Sequence, residues 1–203
     1  MEMLKDPEIE TAPKGICPVT GLSFTRKPEW TDVSFGTDYR VTMSVLGESI
    51  LFGQPSGYAT LNDVKNVVRL TSKVADEAIT EDRPYMHIQD WSNFKGSSFE
   101  ARKWYIDNMK NRTRVLGLIF YGASSMFKLS IKLARRLNII KFNVQITHDY
   151  PEAVKLALEM LSPGKINNET PRMDCHSRLW LAGYAADCTP HPRTEGLLRN
   201  HPL

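Results

Sequence analysis

The chain has 203 residues, of which 41% are hydrophobic and 24% are charged, a composition typical of one soluble domain with appendages. Its net charge of +3 is too small to favour nucleic-acid binding, because acidic and basic residues are mixed along the chain. No apolar run approaches the roughly 18 residues that a membrane span needs.

The N-terminus and the cysteines indicate the cellular compartment of the protein. The first ten residues, MEMLKDPEIE, lack the basic start and apolar core of a signal peptide. Cys17, Cys175 and Cys188 are too widely spaced for a disulfide framework, so we expect a reducing environment and a cytoplasmic protein.

The pattern of apolar residues and prolines divides the chain into three parts. Residues 1–29 are polar and interrupted by prolines, and we predict a lead-in segment with little regular structure. Residues 30–162 carry periodic apolar patterns and form the predicted α/β domain. Periodicity then stops, so residues 163–203 are predicted to be an irregular tail or linker. The tail's cysteines and histidines match no known zinc spacing, and we predict no metal site from Cys175, His176, Cys188 and His191.

The domain is predicted to open with an antiparallel hairpin. Residues 39–46, YRVTMSVL, alternate between apolar and polar side chains, as a half-buried strand does. Gly47-Glu48 then forms a two-residue connection to a second strand, residues 49–54. Pro55-Ser56-Gly57 is predicted to end that strand.

Helices and strands alternate after the hairpin. An amphipathic helix capped by Thr60 is predicted over residues 61–79. Near-continuous apolar runs indicate parallel strands covered by helices. The predicted strands are 85–90, 115–121 and 142–147, and the helices after them are 98–111, 125–137 and 151–161. The predicted fold class is therefore α/β: a mixed sheet with an antiparallel N-terminal hairpin, three parallel strands and four helices, mostly on one face.

Polar residues collect where the predicted parallel strands end. Ligands of α/β domains gather at the carboxyl ends of parallel strands, so this edge is the predicted working surface. Its candidate partner- or ligand-binding residues are Asp90, Ser92, Ser98, Ser124, Ser125 and His148.

Ser97 admits two interpretations. Ser97-Ser98-Phe99-Glu100 satisfies the S-x-x-E capping box, in which Ser97 would accept from the backbone N–H of Glu100. Alternatively, a hydroxyl at a helix N-terminus accepts a phosphate or contacts an anion, because the free N–H groups there favour negative charge.

Catalytic motifs are missing from the sequence. Asp90, His148 and a serine would allow a Ser-His-Asp arrangement, but no G-x-S-x-G elbow is present. Neither glycine-rich phosphate loop occurs. We therefore predict no catalytic residue and no cofactor, and a small hydrolase is the least favoured function.

The predicted helix 125–137 has a basic face and an apolar face. Lys128, Lys132, Arg135 and Arg136 lie opposite Met126, Leu129, Leu133 and Leu137. The basic face is either simply solvated or a docking surface for an acidic partner.

The order of elements and the run DWSNFKGSSF, residues 90–99, resemble the STAS/SpoIIAA-like family of anti-sigma-factor antagonists. Asp90 and Ser92 match the polar positions of that family's strand-end motif, and Ser97 falls at the position of its regulatory phosphoacceptor serine. Gly96 and Phe99 depart from the family pattern. The resemblance covers roughly residues 38–161.

The chain is also similar to the STAS-like input regions of some bacterial sensor histidine kinases, through GLIFYGASSMFKLSIKLARRLN and ITHDYPEAVKLALEML. The resemblance implies a non-catalytic regulatory or sensory module in bacterial signal transduction, with a kinase or another signalling domain as its protein partner. The alternative is a sensor of a small anion or metabolite, held by the same helix N-termini.

Overall fold

A computed structural model describes residues 15–81 and 83–162 of the chain. Apart from the second strand of the hairpin, the predicted helices and strands begin and end within a few residues of their predicted bounds. The helices are α1 Leu61–Ala78, α2 Phe99–Met109, α3 Ser125–Arg136 and α4 Tyr150–Leu161. The strands are β1 Phe24–Thr25, β2 Val33–Phe35, β3 Tyr39–Leu46, β4 Ile50–Ala59, β5 Tyr85–Asp90, β6 Phe94–Ser97, β7 Val115–Tyr121 and β8 Val144–Ile146.

All of these strands belong to one mixed sheet with the order β1-β3-β4-β5-β7-β8. β3 and β4 form the antiparallel hairpin, and β4, β5, β7 and β8 are parallel to one another in that order. β2 also pairs with β3, and β6 also pairs with β4. The predicted mixed α/β fold class is confirmed.

Strand β4 is longer than predicted, and β1, β2 and β6 were not predicted. β4 continues through Pro55-Ser56-Gly57 to Ala59, and its last part pairs in parallel with β6. Pro55 is tolerated because β4 has passed its last pair with β5, at Gly53, and has not yet reached β6. At Gly57, with φ +81°, a β-carbon would fall 1.6 Å from the Asp38 carbonyl oxygen, so only glycine fits this bend.

The helices cover both faces of the sheet unequally. α1, α2 and α3 pack on one face, called here the three-helix face, and α4 packs on the other. On the three-helix face, Val41 and Met43 of β3 meet the apolar stripe of α1. On the opposite face, Ile50 and Phe52 of β4 meet Val154 of α4. The prediction that the helices lie mostly on one face agrees with this arrangement.

The described part of the predicted lead-in segment is joined to the sheet. β1 pairs with the end of β3, and Phe24 packs edge-on against Phe52. Cys17 is 1% exposed, and its Sγ lies 3.0 Å from the Tyr150 hydroxyl of α4. Residues 15–29 thus help α4 to cover the sheet. The predicted tail, residues 163–203, lies outside the described residues.

None of the helices in the described part of the chain is long and apolar enough to cross a membrane.

Candidate functional site

The start of α2 differs from the predicted capping box. Ser97 ends β6 and pairs with Ala59, and the backbone N–H of Ser98 donates to the Ala59 carbonyl. Because this strand pairing extends to Ser98, the helix begins one residue later than predicted. Ser98 is the N-cap, and its Oγ accepts from the backbone N–H of Ala101 at 3.2 Å. The prediction that Ser97 caps the helix was wrong.

Asp90 and Ser92 do come together. Asp90 Oδ1 accepts from the Ser92 backbone N–H at 2.9 Å and from the Ser92 hydroxyl at 2.6 Å. This turn lies against Gly122, where β7 ends, because a β-carbon at Gly122 would fall 2.2 Å from Ser92 Oγ. The end of β5 is therefore held against the chain that leads into α3.

Ser124 and Ser125 begin α3 beside this turn. Ser124 is the N-cap, and its Oγ accepts from the backbone N–H of Phe127 at 3.4 Å. Ser125 is the first helical residue, and both serines are exposed. Two of the predicted site serines, Ser98 and Ser124, thus have a structural role as helix caps.

His148 belongs to the start of α4. Its side chain is 89% exposed, with Nδ1 3.7 Å from Asp149 Oδ2, and its backbone N–H donates to Glu152. Asp149 is the N-cap of α4, as the spacing to Glu152 suggests. Asp90 is engaged with Ser92 and His148 lies beside Asp149, so the geometry gives no support to a Ser-His-Asp triad at this edge.

Helix α3 packs through an unexpected face. Ile131 is 8% exposed, and Phe127 and Ala134 are half-buried. The stripe formed by Met126, Leu129, Leu133 and Leu137 is exposed instead, by 75%, 67%, 53% and 61% respectively. We call these four residues the α3 stripe. The basic residues Lys132, Arg135 and Arg136 are also exposed, so α3 presents both an apolar and a cationic surface to the outside.

A cavity of about 700 Å³ lies between the three-helix face of the sheet and α1, α2 and α3. Its lining is mainly apolar, and it includes Met43 from β3, Val68 from α1, Phe120 from β7 and Ile131 from α3. A close-packed interior leaves few voids larger than one water molecule. A space of this volume is within the usual range for small-molecule sites, about 300–1,000 Å³.

A row of hydrogen-bonding side chains lines this cavity. Trp91 Nε1 donates to Gln89 Oε1 at 2.9 Å, and Gln89 Nε2 donates to the Tyr105 hydroxyl at 3.2 Å. Gln89 Nε2 also lies 3.4 Å from His87 Nε2. We call His87, Gln89, Trp91 and Tyr105 the polar row. Aromatic rings hold Trp91 in place, with centroids 5.1 Å away at Phe94, 4.2 Å at Phe120 and 5.2 Å at Phe127.

Burial sets the charge states of the row. Desolvation, with a further contribution from the Arg112 guanidinium, lowers the pKa of His87 to about 3, so this imidazole is neutral at physiological pH. Desolvation raises the pKa of Tyr105 to about 12, so its hydroxyl keeps its proton. The row therefore offers neutral donors and acceptors.

The sequence contained a signal for this row that went unused. His87, Gln89 and Trp91 alternate along β5 and beyond it, so they project from one face of the strand, while Met86 and Ile88 on the other face are apolar. Buried polar side chains in such an alternation indicate hydrogen bonding within or beside a core. The predicted site residues, Asp90 and Ser92, lie instead at the end of the strand.

The chain is similar in fold to a solved structure. No protein-family model and no curated protein matches the chain. Among solved structures, it is similar to an uncharacterized protein of the DUF3478 family with a SpoIIAA-like fold, from Shewanella loihica PV-4. The identity is 12%, the TM-score is 0.45, and the match covers 62% of this chain and 98% of the other.

That protein is described as having the fold that the resemblance of residues 90–99 implies. The class defined by the chain's own structure is a mixed α/β domain with an apolar cavity beneath three helices.

Proposed function

We propose that this chain is a non-catalytic regulatory module that binds a small, largely apolar molecule and acts on a protein partner by contact. The observation that supports it best is the cavity of about 700 Å³ on the three-helix face. Apolar walls with a few converging polar groups are the usual composition of a small-molecule site. Met43, Val68 and Phe120 provide such walls, and the polar row provides the groups.

The alternative, a small anion at the helix N-termini, has less support. Ser98 and Ser124 already accept from backbone N–H groups at the starts of α2 and α3. An anion would have to compete with these hydroxyls for the same region of the helix dipole.

The α3 stripe favours a protein contact as the output. Single exposed apolar residues are common, but a contiguous apolar strip on one helix is typical of an interaction surface. The neighbouring cations Lys132, Arg135 and Arg136 complement a partner whose contact segment is apolar with acidic residues beside it.

Helix α3 connects the cavity to the stripe. Phe127, Ile131 and Ala134 line the cavity from the inner face of the helix, and Leu129 and Leu133 lie on its outer face. A ligand that shifts α3 would change the surface shown to the partner, and only a molecule with different affinities for the two positions of α3 would do so.

We further propose that the module serves as the input region of a bacterial sensor histidine kinase, as the sequence resemblance implies. The coding sequence tests this, since a kinase core downstream in the same reading frame is expected. Ser97 remains the proposed phosphoacceptor, at the end of β6 and half-buried. Partner binding that is unchanged in both Ser97→Ala and Ser97→Asp would remove the phosphorylation switch from the proposal.

The ligand proposal is tested with a variant that fills the cavity. Ala134 lines the cavity, and Lys132 lies on the exposed side of the same helix. We expect Ala134→Trp to abolish binding of apolar probes and Lys132→Trp to retain it. The measurement is thermal denaturation with a panel of small apolar molecules, together with native mass spectrometry for co-purified compounds.

The expected shift follows from mass action. A ligand at 100 times its dissociation constant stabilises the folded chain by about 2.7 kcal/mol, which raises the Tm by roughly 5–10 °C in a domain of this size. Equal shifts in Ala134→Trp and in the unaltered chain would place binding elsewhere and contradict the proposal.

A further inference from the structure

The orientation of the Gln89 side-chain amide is determined by Trp91. An indole N–H is only a donor, so the atom that faces it must be an acceptor. Gln89 Oε1 lies 2.9 Å from Trp91 Nε1. The opposite orientation would place two donors against each other, and the amide nitrogen Nε2 must therefore point toward Tyr105 and His87.

This orientation determines the hydrogens of the rest of the row. Gln89 Nε2 has two hydrogens, and its two neighbours are the Tyr105 hydroxyl oxygen at 3.2 Å and His87 Nε2 at 3.4 Å. Both neighbours are therefore acceptors. His87 carries its single proton on Nδ1, and Tyr105 keeps its own hydroxyl hydrogen for a further bond. Within residues 15–81 and 83–162, the hydroxyl accepts from Gln89 and donates no hydrogen bond of its own.

We infer that the cavity selects a largely apolar molecule carrying a carbonyl-type oxygen, and that the Tyr105 hydroxyl donates to this oxygen. The inference rests on the proposed function, because it specifies the ligand of the same cavity. Tyr105 lines the cavity, and its hydroxyl group is hydrogen-bonded to Gln89, which lines the cavity as well. A buried hydroxyl that lacks an acceptor costs free energy, which a ligand oxygen recovers on binding.

Arg112 extends the possible ligands to carboxylates. Arg112 also lines the cavity. Its guanidinium donates to Asn108 Oδ1, the Val68 carbonyl and Ser72 Oγ, all of which are neutral oxygens. Among the described residues, no carboxylate forms an ion pair with it. Ketone and carboxylate oxygens share the acceptor chemistry that Tyr105 recognises, and only the carboxylate gains from the charge of Arg112.

The test uses three probes built on one ring system: tetralin, α-tetralone and a tetralin carboxylate. Tetralin lacks the oxygen, tetralone adds a neutral carbonyl, and the carboxylate adds a charge. Dissociation constants are measured by titration calorimetry with the full chain and with two variants. Tyr105→Phe removes only the hydroxyl group, and Tyr58→Phe is the control, because Tyr58 is 44% exposed and is not part of the cavity lining.

We expect the unaltered chain and Tyr58→Phe to bind an oxygen-bearing probe more tightly than tetralin. Tyr105→Phe should weaken the oxygen-bearing probes by roughly three- to tenfold and leave tetralin unchanged, as the loss of one neutral hydrogen bond predicts. A preference for the carboxylate over the ketone would identify the charged form of the ligand.

The two proposals fail in different ways. If tetralin and both oxygenated probes fail to bind, the cavity function itself is contradicted. If tetralin binds and Tyr105→Phe leaves all three affinities unchanged, the cavity binds apolar molecules and the inference about Tyr105 is wrong, with a water molecule satisfying the hydroxyl.

Discussion

Gly122 lies so close to Ser92 that a β-carbon at Gly122 would fall 2.2 Å from the Ser92 hydroxyl oxygen. Gly122 also has φ +66°, which disfavours other residues. We expect Gly122→Ala to lower the free energy of unfolding by at least about 3 kcal/mol, because steric overlap adds to backbone strain. Urea denaturation measures this change.

Gly21 supplies the matched control for that substitution. Its φ is +71°, and nothing lies within 4 Å of the position of a β-carbon. Gly21→Ala should therefore cost only the backbone term, about 1 kcal/mol. Equal costs at the two glycines would show that the contact between Ser92 and Gly122 is unimportant.

His87 makes stability depend on acid. The unfolded chain binds a proton at this residue below about pH 6.5, while the folded chain does so only near a pKa of about 3. Stability supplied by neutral His87 is therefore present above about pH 6.5 and is lost as the pH falls toward 3. We expect a loss of about 2–3 kcal/mol by about pH 4.5, which His87→Gln removes.

The measurement is urea denaturation at a series of pH values. His148→Gln is the control, because His148 is 89% exposed, and its pH profile should match that of the unaltered chain. Full acid dependence in His87→Gln would contradict the assignment of this dependence to His87.

The two faces of α3 should respond differently to truncation. Ile131 is 8% exposed and Leu133 is 53% exposed. Ile131→Ala should cost about 2–4 kcal/mol through lost burial, and Leu133→Ala less than about 1 kcal/mol. Thermal or urea denaturation at low protein concentration compares them. A large cost at Leu133 that grows with protein concentration would mean that copies of the chain cover the α3 stripe.

Replacing Ser98, which caps α2, should cost more stability than replacing Ser97, which does not cap it. Ser98→Ala removes the acceptor for the Ala101 N–H and should lower stability by about 1 kcal/mol. Ser97→Ala should change it by less than about 0.5 kcal/mol, because its structural contribution is the backbone pairing with Ala59. A larger cost for Ser97→Ala than for Ser98→Ala would mean that Ser97 caps the helix, as the capping box in the sequence predicts.

The sequence was sufficient for elements whose pattern is local. Residues 39–46 and 85–90 were predicted as strands from alternation and apolar runs, and β3 and β5 occupy these positions. The N-cap Thr60 was also predicted, because a cap depends on the three residues that follow it.

Features that depend on distant partners were missed. β6 exists because β4 passes beside it, and that pairing decides between Ser97 and Ser98 as the cap. The polar row requires Tyr105 of α2 to meet Gln89 of β5, which no local pattern reveals.

For α3, periodicity identified an amphipathic helix, but the sequence does not tell which part of a broad apolar arc faces the core. Ile131 packs against the sheet beneath α3, whereas Leu133 is exposed.

The position of β4 between strands on both sides determines how fast its amide hydrogens exchange. β3 is hydrogen-bonded along one side of it, and β5 and then β6 along the other. Local opening of α3 or of the sheet edge at β8 leaves these partners in place. The amide hydrogens of β4 should therefore exchange with solvent only when the whole domain unfolds, and their exchange rates would report its global stability. The short-range pairing of β3 with β4 is also the contact that forms with the smallest loss of chain entropy, so folding is expected to begin at this hairpin.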